Sequence, residues 1–338
     1  MGCSRTGMRI ISGAMLCWAA AAVGSLPTCR AAEPDAGGLD VIQVRPNFYM
    51  IAGAGANIGV QIGVDGVVLV DSGNEEASDR ILAAIKKLTN LPTRYIINTG
   101  ADADHVSGNG KLSRAGQTIF TNALGNATFA NAMTNGGGAS IMAQESILRR
   151  MSAPTGKASP FPVDTWPTEA FYTERKTLRM NDEPIEVIHQ PGAHSDADSF
   201  VFFRKSDVVA AGDIFDETRF PVIDIAKGGS VQGEIDALNR LIEIAVPPGP
   251  FIYEGIGTYV IPGHGRLSVQ LDVVNYRDMV VIVRDVIADM IKQGMTLAQI
   301  QEASPAKPFE TRYGTQPGST AGFVESVYKS LTAKKGGK

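Results

Sequence analysis

The stretch Asn98-Thr99-Gly100-Ala101-Asp102-Ala103-Asp104-His105 follows a strand-like run, Tyr95-Ile96-Ile97. Asp102, Asp104 and His105 place two carboxylates and an imidazole within four residues. A loop leaving a strand can aim such side chains at one point, which is a metal site in outline. The chain has 4 histidines, and three sit in similar small-residue settings. These are His105, His194 in Pro191-Gly192-Ala193-His194, and His264 in Pro262-Gly263-His264-Gly265.

Upstream, Asn47 to Ala52 and Asn57 to Ile62 are short β-rich runs. Gly66-Val67-Val68-Leu69-Val70 is continuously apolar, as suits a strand buried on both faces. A helix is expected after Asp71-Ser72-Gly73, with Asn74 as its cap and Ile81, Ile85 and Leu88 on one face. Strand Arg94–Asn98 follows, which puts the acidic motif at that strand's carboxyl end.

Downstream, the order is less regular. The Gly136-Gly137-Gly138 cluster, then Pro160, Pro162 and Pro167 among Phe161, Trp166, Phe171 and Tyr172, read as an inserted loop region over about 122–180. Its aromatics either line a substrate mouth or pack the insertion onto its own domain. Strand signals return at Ile185–Ile188, Phe200–Phe203 and Val208–Ala211. A helix carries Ile235, Leu238 and Ile242 on one face, and another carries Val273, Val280, Val283, Ile287 and Ile291, a stripe that reads as packing.

Asp71, the Asp102/Asp104/His105 cluster, His194, Asp213 and His264 all lie where an apolar run gives way to a small-residue loop. Strand ends of this kind converge at one edge of an α/β sheet. One such residue would be unremarkable, but five separate positions argue for a common site.

Residues 1–31 carry Arg5, Arg9 and Arg30, no acid, and an apolar stretch from about Ile10 to Val23. That run is shorter than the ~20 residues of a membrane span and reads as a secretory signal peptide, which implies a periplasmic or secreted protein. All three cysteines, Cys3, Cys17 and Cys29, lie within it, so a mature chain would hold any metal by nitrogen and oxygen alone. Cleavage leaves 31 − 3 = 28 basic residues against 35 acids, a net charge of −7. This argues against nucleic acid or an anionic membrane as the partner and favours a small-molecule substrate, with no stable membrane insertion. The remaining 338 − 31 = 307 residues suffice for one large domain, 32–338.

Five motifs occur in order: Val70-Asp71-Ser72-Gly73, Asp104-His105-Val106-Ser107-Gly108-Asn109, Gly192-Ala193-His194, Gly212-Asp213 and Ile261-Pro262-Gly263-His264-Gly265. Over about Val41 to Lys329 the chain thereby resembles the metallo-β-lactamase superfamily of metal-dependent hydrolases. The resemblance implies an α/β fold, an αββα sandwich with metals at one edge of the paired sheets. The insertion and a C-terminal helical extension, about 270–332, would be added to it.

The family's metal motif is His-x-His-x-Asp-His, and Gly100 and Asp102 stand at its first two histidine positions. The resemblance implies that Asp104, His105, Asp213 and His264 hold the second of the family's two metals. This donor set suits Zn²⁺, with Fe or Mn as alternatives. One ion is expected there, and Asp102 with His194, Asp213 and solvent could hold a second, weaker one. Asp104 would orient a metal-activated water, His194 would act as general acid or bind an oxyanion, and Asp71 would fix the ligand loops by hydrogen bonds. Ser107 and Asn109 read as turn residues, and His189 as lying outside the site.

The expected activity is hydrolysis of a small ester, lactone, amide (β-lactams included) or phosphoester by a metal-bound hydroxide. The loss of two histidines also admits two other classes. One is a protein that binds a metal or metabolite without turnover, and the other is a mono-iron oxidoreductase.

Overall fold

A computed structural model describes residues 38–119, 137–153, 157–249, 257–316 and 318–333. The expected signal peptide, 1–31, lies outside the described residues. One sheet has the order β1 (Asp40–Arg45), β2 (Phe48–Ala52), β3 (Ile58–Gly63), β4 (Gly66–Val70), β5 (Thr93–Ile97), β6 (Ser140–Gln144) and β7 (Glu169–Phe171). It is antiparallel up to β4 and parallel from β4 to β7. The other sheet comprises β8 (Arg175–Met180), β9 (Glu183–Gln190), β10 (Asp198–Phe203), β11 (Val208–Gly212), β12 (Tyr259–Pro262) and β13 (Ser268–Val269), adjacent in that order. Its one parallel pair is β11 with β12.

The side-chain period of a strand explains the continuous apolar runs. In β4, Val68 and Val70 point into the core between the sheets, while Val67 and Leu69 point to the outer layer. In β10, Val201 and Phe203 face the first sheet, and Phe200 and Phe202 face outward. Phe48 and Phe203 meet edge to face across the sandwich, with ring centroids 4.7 Å apart.

Helices cover both outer faces. α1 (Ser78–Leu88) buries Ile81, Ala84 and Ile85 against the first sheet, beside Leu112. α2 (Ala103–Val106), α3 (Asn109–Ala115) and α4 (Glu145–Met151) follow strand ends of that sheet. The second sheet is covered by α5 (Val231–Ile244), α6 (Gln270–Lys292), α7 (Leu297–Ala303), α8 (Glu310–Tyr313) and α9 (Ser319–Thr332). Val273, Val280, Val283 and Ile287 pack there with Leu238, Leu241 and Phe323. The expected αββα sandwich with C-terminal helices is the observed architecture.

Two local expectations need correction. Asn74 precedes a 3₁₀ turn, Glu75–Ala77, and makes no side-chain cap bond; α1 begins after it with Ala77 at its N-cap. The stretch 122–180 is not wholly an inserted loop, because β6, β7 and β8 lie in it and extend both sheets. These strands are short, and prolines and glycines lie in the segments around them, so no period-2 pattern builds up in the sequence. Of the aromatics there, Phe171 is buried and Phe161 and Trp166 pack on Val106, Ile147 and Met151, whereas Tyr172 is exposed.

Candidate metal centre

The site forms where β4, β5 and β11 end and the loops after β9 and β12 begin. Asp71, directly after β4, has a φ of 63°, a left-handed conformation uncommon for a residue with a side chain. That turn directs its carboxylate to three donors. Oδ1 accepts from the Thr99 backbone N–H at 2.8 Å, and Oδ2 accepts from Thr99 Oγ1 at 2.6 Å. Oδ2 also lies 2.8 Å from His105 Nδ1. With Nδ1–H given to Asp71, the other ring nitrogen of His105 is left to face the centre.

Around that nitrogen the donors converge. His105 Nε2 is 3.3 Å from Asp213 Oδ2, and His264 Nε2 is 3.4 Å from Asp213 Oδ1 and 3.1 Å from Asp104 Oδ2. Close as they are, His105 Nε2, His264 Nε2 and Asp213 Oδ1 are buried and make no hydrogen bond. Buried polar atoms are almost always paired. Three unpaired atoms turned toward one another are what a cation's ligands look like, so this residue set fits a metal ion. One ligand atom each from Asp104, His105 and His264 lies within 4.8 Å of the others, and so does a set from Asp102, His194 and Asp213.

Backbone packing enforces the approach. A Cβ on Gly212, whose φ is +54°, would fall 2.5 Å from Thr99 Oγ1, and one on Gly263 would fall 2.6 Å from Asp213 Oδ1. Gly212 thus lets the end of β11 close on Thr99 after β5, and Gly263 lets the loop after β12 close on the one after β11.

The other side of the centre is differently bonded. Asp102 precedes α2 without capping it. Its Oδ2 lies 2.7 Å from His194 Nε2, and its Oδ1 accepts from Lys227 Nζ at 3.1 Å. His194 Nδ1 is hydrogen-bonded to the Val222 carbonyl. Acceptors on both ring nitrogens require an imidazolium.

The protonation equilibria reflect this crowding of acids and imidazoles. Burial opposes the charged form of His105, yet Asp213 and Asp71 outweigh it and raise its pKa well above the usual range. Burial likewise opposes protonation of His194 and His264, and the carboxylates still lift them to about 10 and about 9. Asp213, despite its burial, is held well below the usual carboxylate range by the charge of the nearby His105, with His194 adding to it. Without an ion, then, protons neutralise the carboxylates, and a metal would displace them.

The family model described as the metallo-beta-lactamase superfamily matches residues 53–253, more than half of the 338. The chain belongs to the metallo-β-lactamase superfamily. Among solved structures, a double mutant of the sec-alkyl sulfatase PisA1 is 12% identical, with TM-score 0.61, covering 87% of this chain and 50% of that one. The stereoselective inverting sec-alkylsulfatase Pisa1 from Pseudomonas sp. gives 12%, TM-score 0.58 and the same coverage. The metallo-beta-lactamase from Pontibacter korlensis is 16% identical, with TM-score 0.51, covering 72% of this chain and 98% of that one. These are likenesses of fold, and the chain spans about half the length of the sulfatase it matches. No curated protein matches by sequence.

Set against the superfamily's motif, the residues divide. Asp104, His105, Asp213 and His264 come together, although His264 lies beyond the stretch matched by the family model. Gly100 contributes no ligand, yet a Cβ there would meet nothing nearer than Asp198 Oδ1 at 3.9 Å. His189 stands apart, with Nε2 2.9 Å from the Asp196 carbonyl. Asn109 is buried in paired amide bonds with Asn98, a structural role.

Sequence reading passed over several residues. Arg219 pairs with Asp216 at 2.5 Å and reaches to 3.5 Å from Asp213 Oδ1. Buried Asp198 accepts from the Ser195 N–H at 2.6 Å, which holds the His194 loop, and burial raises its carboxyl to about 6. Lys227 is the third. The only advance signal was the placement of Arg219 and Lys227 between the Asp213 and His264 motifs.

Proposed function

We propose that this chain is an exported, zinc-dependent hydrolase of a small ester, lactone, amide or phosphoester. What carries the reading is the trio of buried, unpaired atoms, His105 Nε2, His264 Nε2 and Asp213 Oδ1, gathered beside the Asp104 carboxylate. His105, Asp213, His264 and Asp104 would hold the ion. A divalent cation supplies Lewis acidity there, lowering the pKa of water from ~15.7 to ~7 and polarising a carbonyl or phosphoryl oxygen.

The chain's own residues then divide the work. Asp104, about a third exposed, is the carboxylate placed to orient the attacking water. His194 carries a proton on Nε2, held by Asp102, and can deliver it to a leaving group. Asp71 keeps the His105 ring in register, and Arg219 steadies Asp213. Export is supported by the basic, apolar and small-residue order of residues 1–31. No described helix is long and apolar enough to cross a membrane.

The test is elemental analysis of the mature protein purified without added ions. It is paired with a panel of ester, lactone, β-lactam, phosphodiester and alkyl sulfate substrates. Bound zinc with hydrolysis that is lost in Asp104→Ala and His264→Ala is the expected result. Absence of metal, or activity unaltered in both variants, overturns it. Cell fractionation with N-terminal sequencing tests export, and the expected mature chain starts near Ala32.

A further inference from the structure

We infer that Lys227 stands in for the first metal ion of the superfamily, so that this chain holds one divalent cation beside a built-in ammonium. The inference rests on the metal-binding reading above and adds to it the count of ions and the reason for that count.

Three donors of the first pocket remain, Asp102, His194 and Asp213, and their ligand atoms lie within 4.8 Å of one another. Geometry alone would admit an ion. Two of the three are already spent. Asp102 gives Oδ1 to Lys227 Nζ at 3.1 Å and Oδ2 to His194 Nε2 at 2.7 Å. His194 has its second nitrogen on the Val222 carbonyl. The contrast with the neighbouring pocket is direct, because the atoms left without a hydrogen-bond partner include His105 Nε2, His264 Nε2 and Asp213 Oδ1, and none from Asp102 or His194.

Lys227 is itself held in place. Its Nζ lies 3.2 Å from Asp224 Oδ2. Asp224 accepts from the Lys227 backbone N–H at 3.0 Å and donates its own N–H to the His194 carbonyl at 2.9 Å. Turn Ile225–Lys227 and the His194 loop are therefore tied together, with the ammonium presented to Asp102. Arg150 strengthens the tie, bonding both Asp196 and the Lys227 carbonyl. The substitution of Asp for His at position 102 suits this arrangement, since a carboxylate can pair with an ammonium and a neutral imidazole cannot match its charge. A dication entering the pocket would have to share the Asp102 carboxylate with the Lys227 ammonium, which is already 3.1 Å from it, and two cations on one carboxylate in a part-buried site repel each other.

The test titrates metal-free protein with Co²⁺ by isothermal calorimetry and follows the visible spectrum of the bound ion. Neither readout needs turnover. Wild type is expected to take one ion per chain. Lys227→Met should take two, with a second dissociation constant at least about tenfold tighter than any second event in wild type, as expected on removing one opposed charge. Lys227→Arg, which keeps the charge, should return to one. Two ions in wild type, or one ion in a Lys227→Met protein with native circular dichroism, overturns the inference and leaves the hydrolase reading standing. No ion in wild type defeats both. Should Lys227→Met not fold, Asp102→His removes the lysine's anchor and restores a neutral ligand. A second ion is then expected, and a single one is contrary.

Discussion

The two halves of this site are built from the same residue types and end in opposite states. Around Asp213, the nitrogens of His105 and His264 face inward with no hydrogen bond, whereas around Asp102 every acceptor and ring nitrogen has found a partner within the protein. The difference lies in nearby cations. Lys227 reaches the Asp102 side at 3.1 Å, while on the other side Arg219 is committed mainly to Asp216, at 2.5 Å, and only approaches Asp213. A cluster of carboxylates and imidazoles can be completed by an external ion or by a lysine; the Asp102 side has the lysine, and the Asp213 side keeps the unpaired atoms that fit an ion.

Removing a ligand from the open half should have the largest effect. His264→Ala is expected to weaken metal binding by more than the ~10–100-fold typical of changes to a ligand's hydrogen-bond partner, with turnover falling in step. Calorimetric metal affinity decides it, and an unchanged affinity would place the ion elsewhere.

Next comes the orientation of His105. Asn tolerates the left-handed backbone that Asp71 adopts, so Asp71→Asn removes the charge behind the imidazole without new strain. A loss of about 10–100-fold in metal affinity, with little change in melting temperature of the metal-free protein, is expected. Equal destabilisation of both forms would reduce Asp71 to a folding role.

The closed half can be opened by design. The space at Gly100, where a Cβ meets only Asp198 Oδ1 at 3.9 Å, leaves room for a side chain. Combining Gly100→His with Asp102→His should rebuild three histidines with His194 and raise the metal content to two ions per chain by elemental analysis. A single ion in the folded double variant would show that more than ligand identity keeps this half closed.

The smallest effect concerns Glu234 on α5, fully buried with both carboxyl oxygens unpaired. Burial, with the charge of Asp198 adding to it, raises its pKa well above the usual range. Its raised folded pKa means that stability is fully present below the ordinary glutamate pKa of about 4.3 and is lost as pH rises through the folded value. Glu234→Gln should abolish that slope, so that its melting temperature equals or exceeds wild type at pH 8 while the two converge near pH 4. Parallel profiles would show that Glu234 does not titrate on unfolding.

Several strands were legible because they announce themselves locally, whereas their arrangement as an αββα sandwich followed from the resemblance to the superfamily. Gly66–Val70 and Phe200–Phe203 are apolar at every position since both faces are covered, and α6 repeats its apolar residues at helical spacing. β6, β7 and β8 were missed because three-to-six-residue strands among prolines carry no period to detect, and their place depends on pairing with β5 and β9. In the site, Asp104, His105, Asp213 and His264 could be named because each follows a strand in a small-residue loop. Thr99 could not, since its partner Asp71 lies 28 residues away, and neither could Asp198 and Arg219, whose bonds to nearby Ser195 and Asp216 leave no periodic signal in the sequence.

The opening motif by itself determined the residue types. It placed Asp104 and His105 at a strand end as candidate metal donors, while only the resemblance to the superfamily marked Gly100 and Asp102 as standing where histidines are expected. Such information is local, carried by residue identity and spacing along one loop. Tertiary structure alone decided what Asp102 does. Its partner Lys227 lies 125 residues away, and an ion pair across that separation exists only once the second sheet has packed against the first. Nothing in the periodicity of either segment records it.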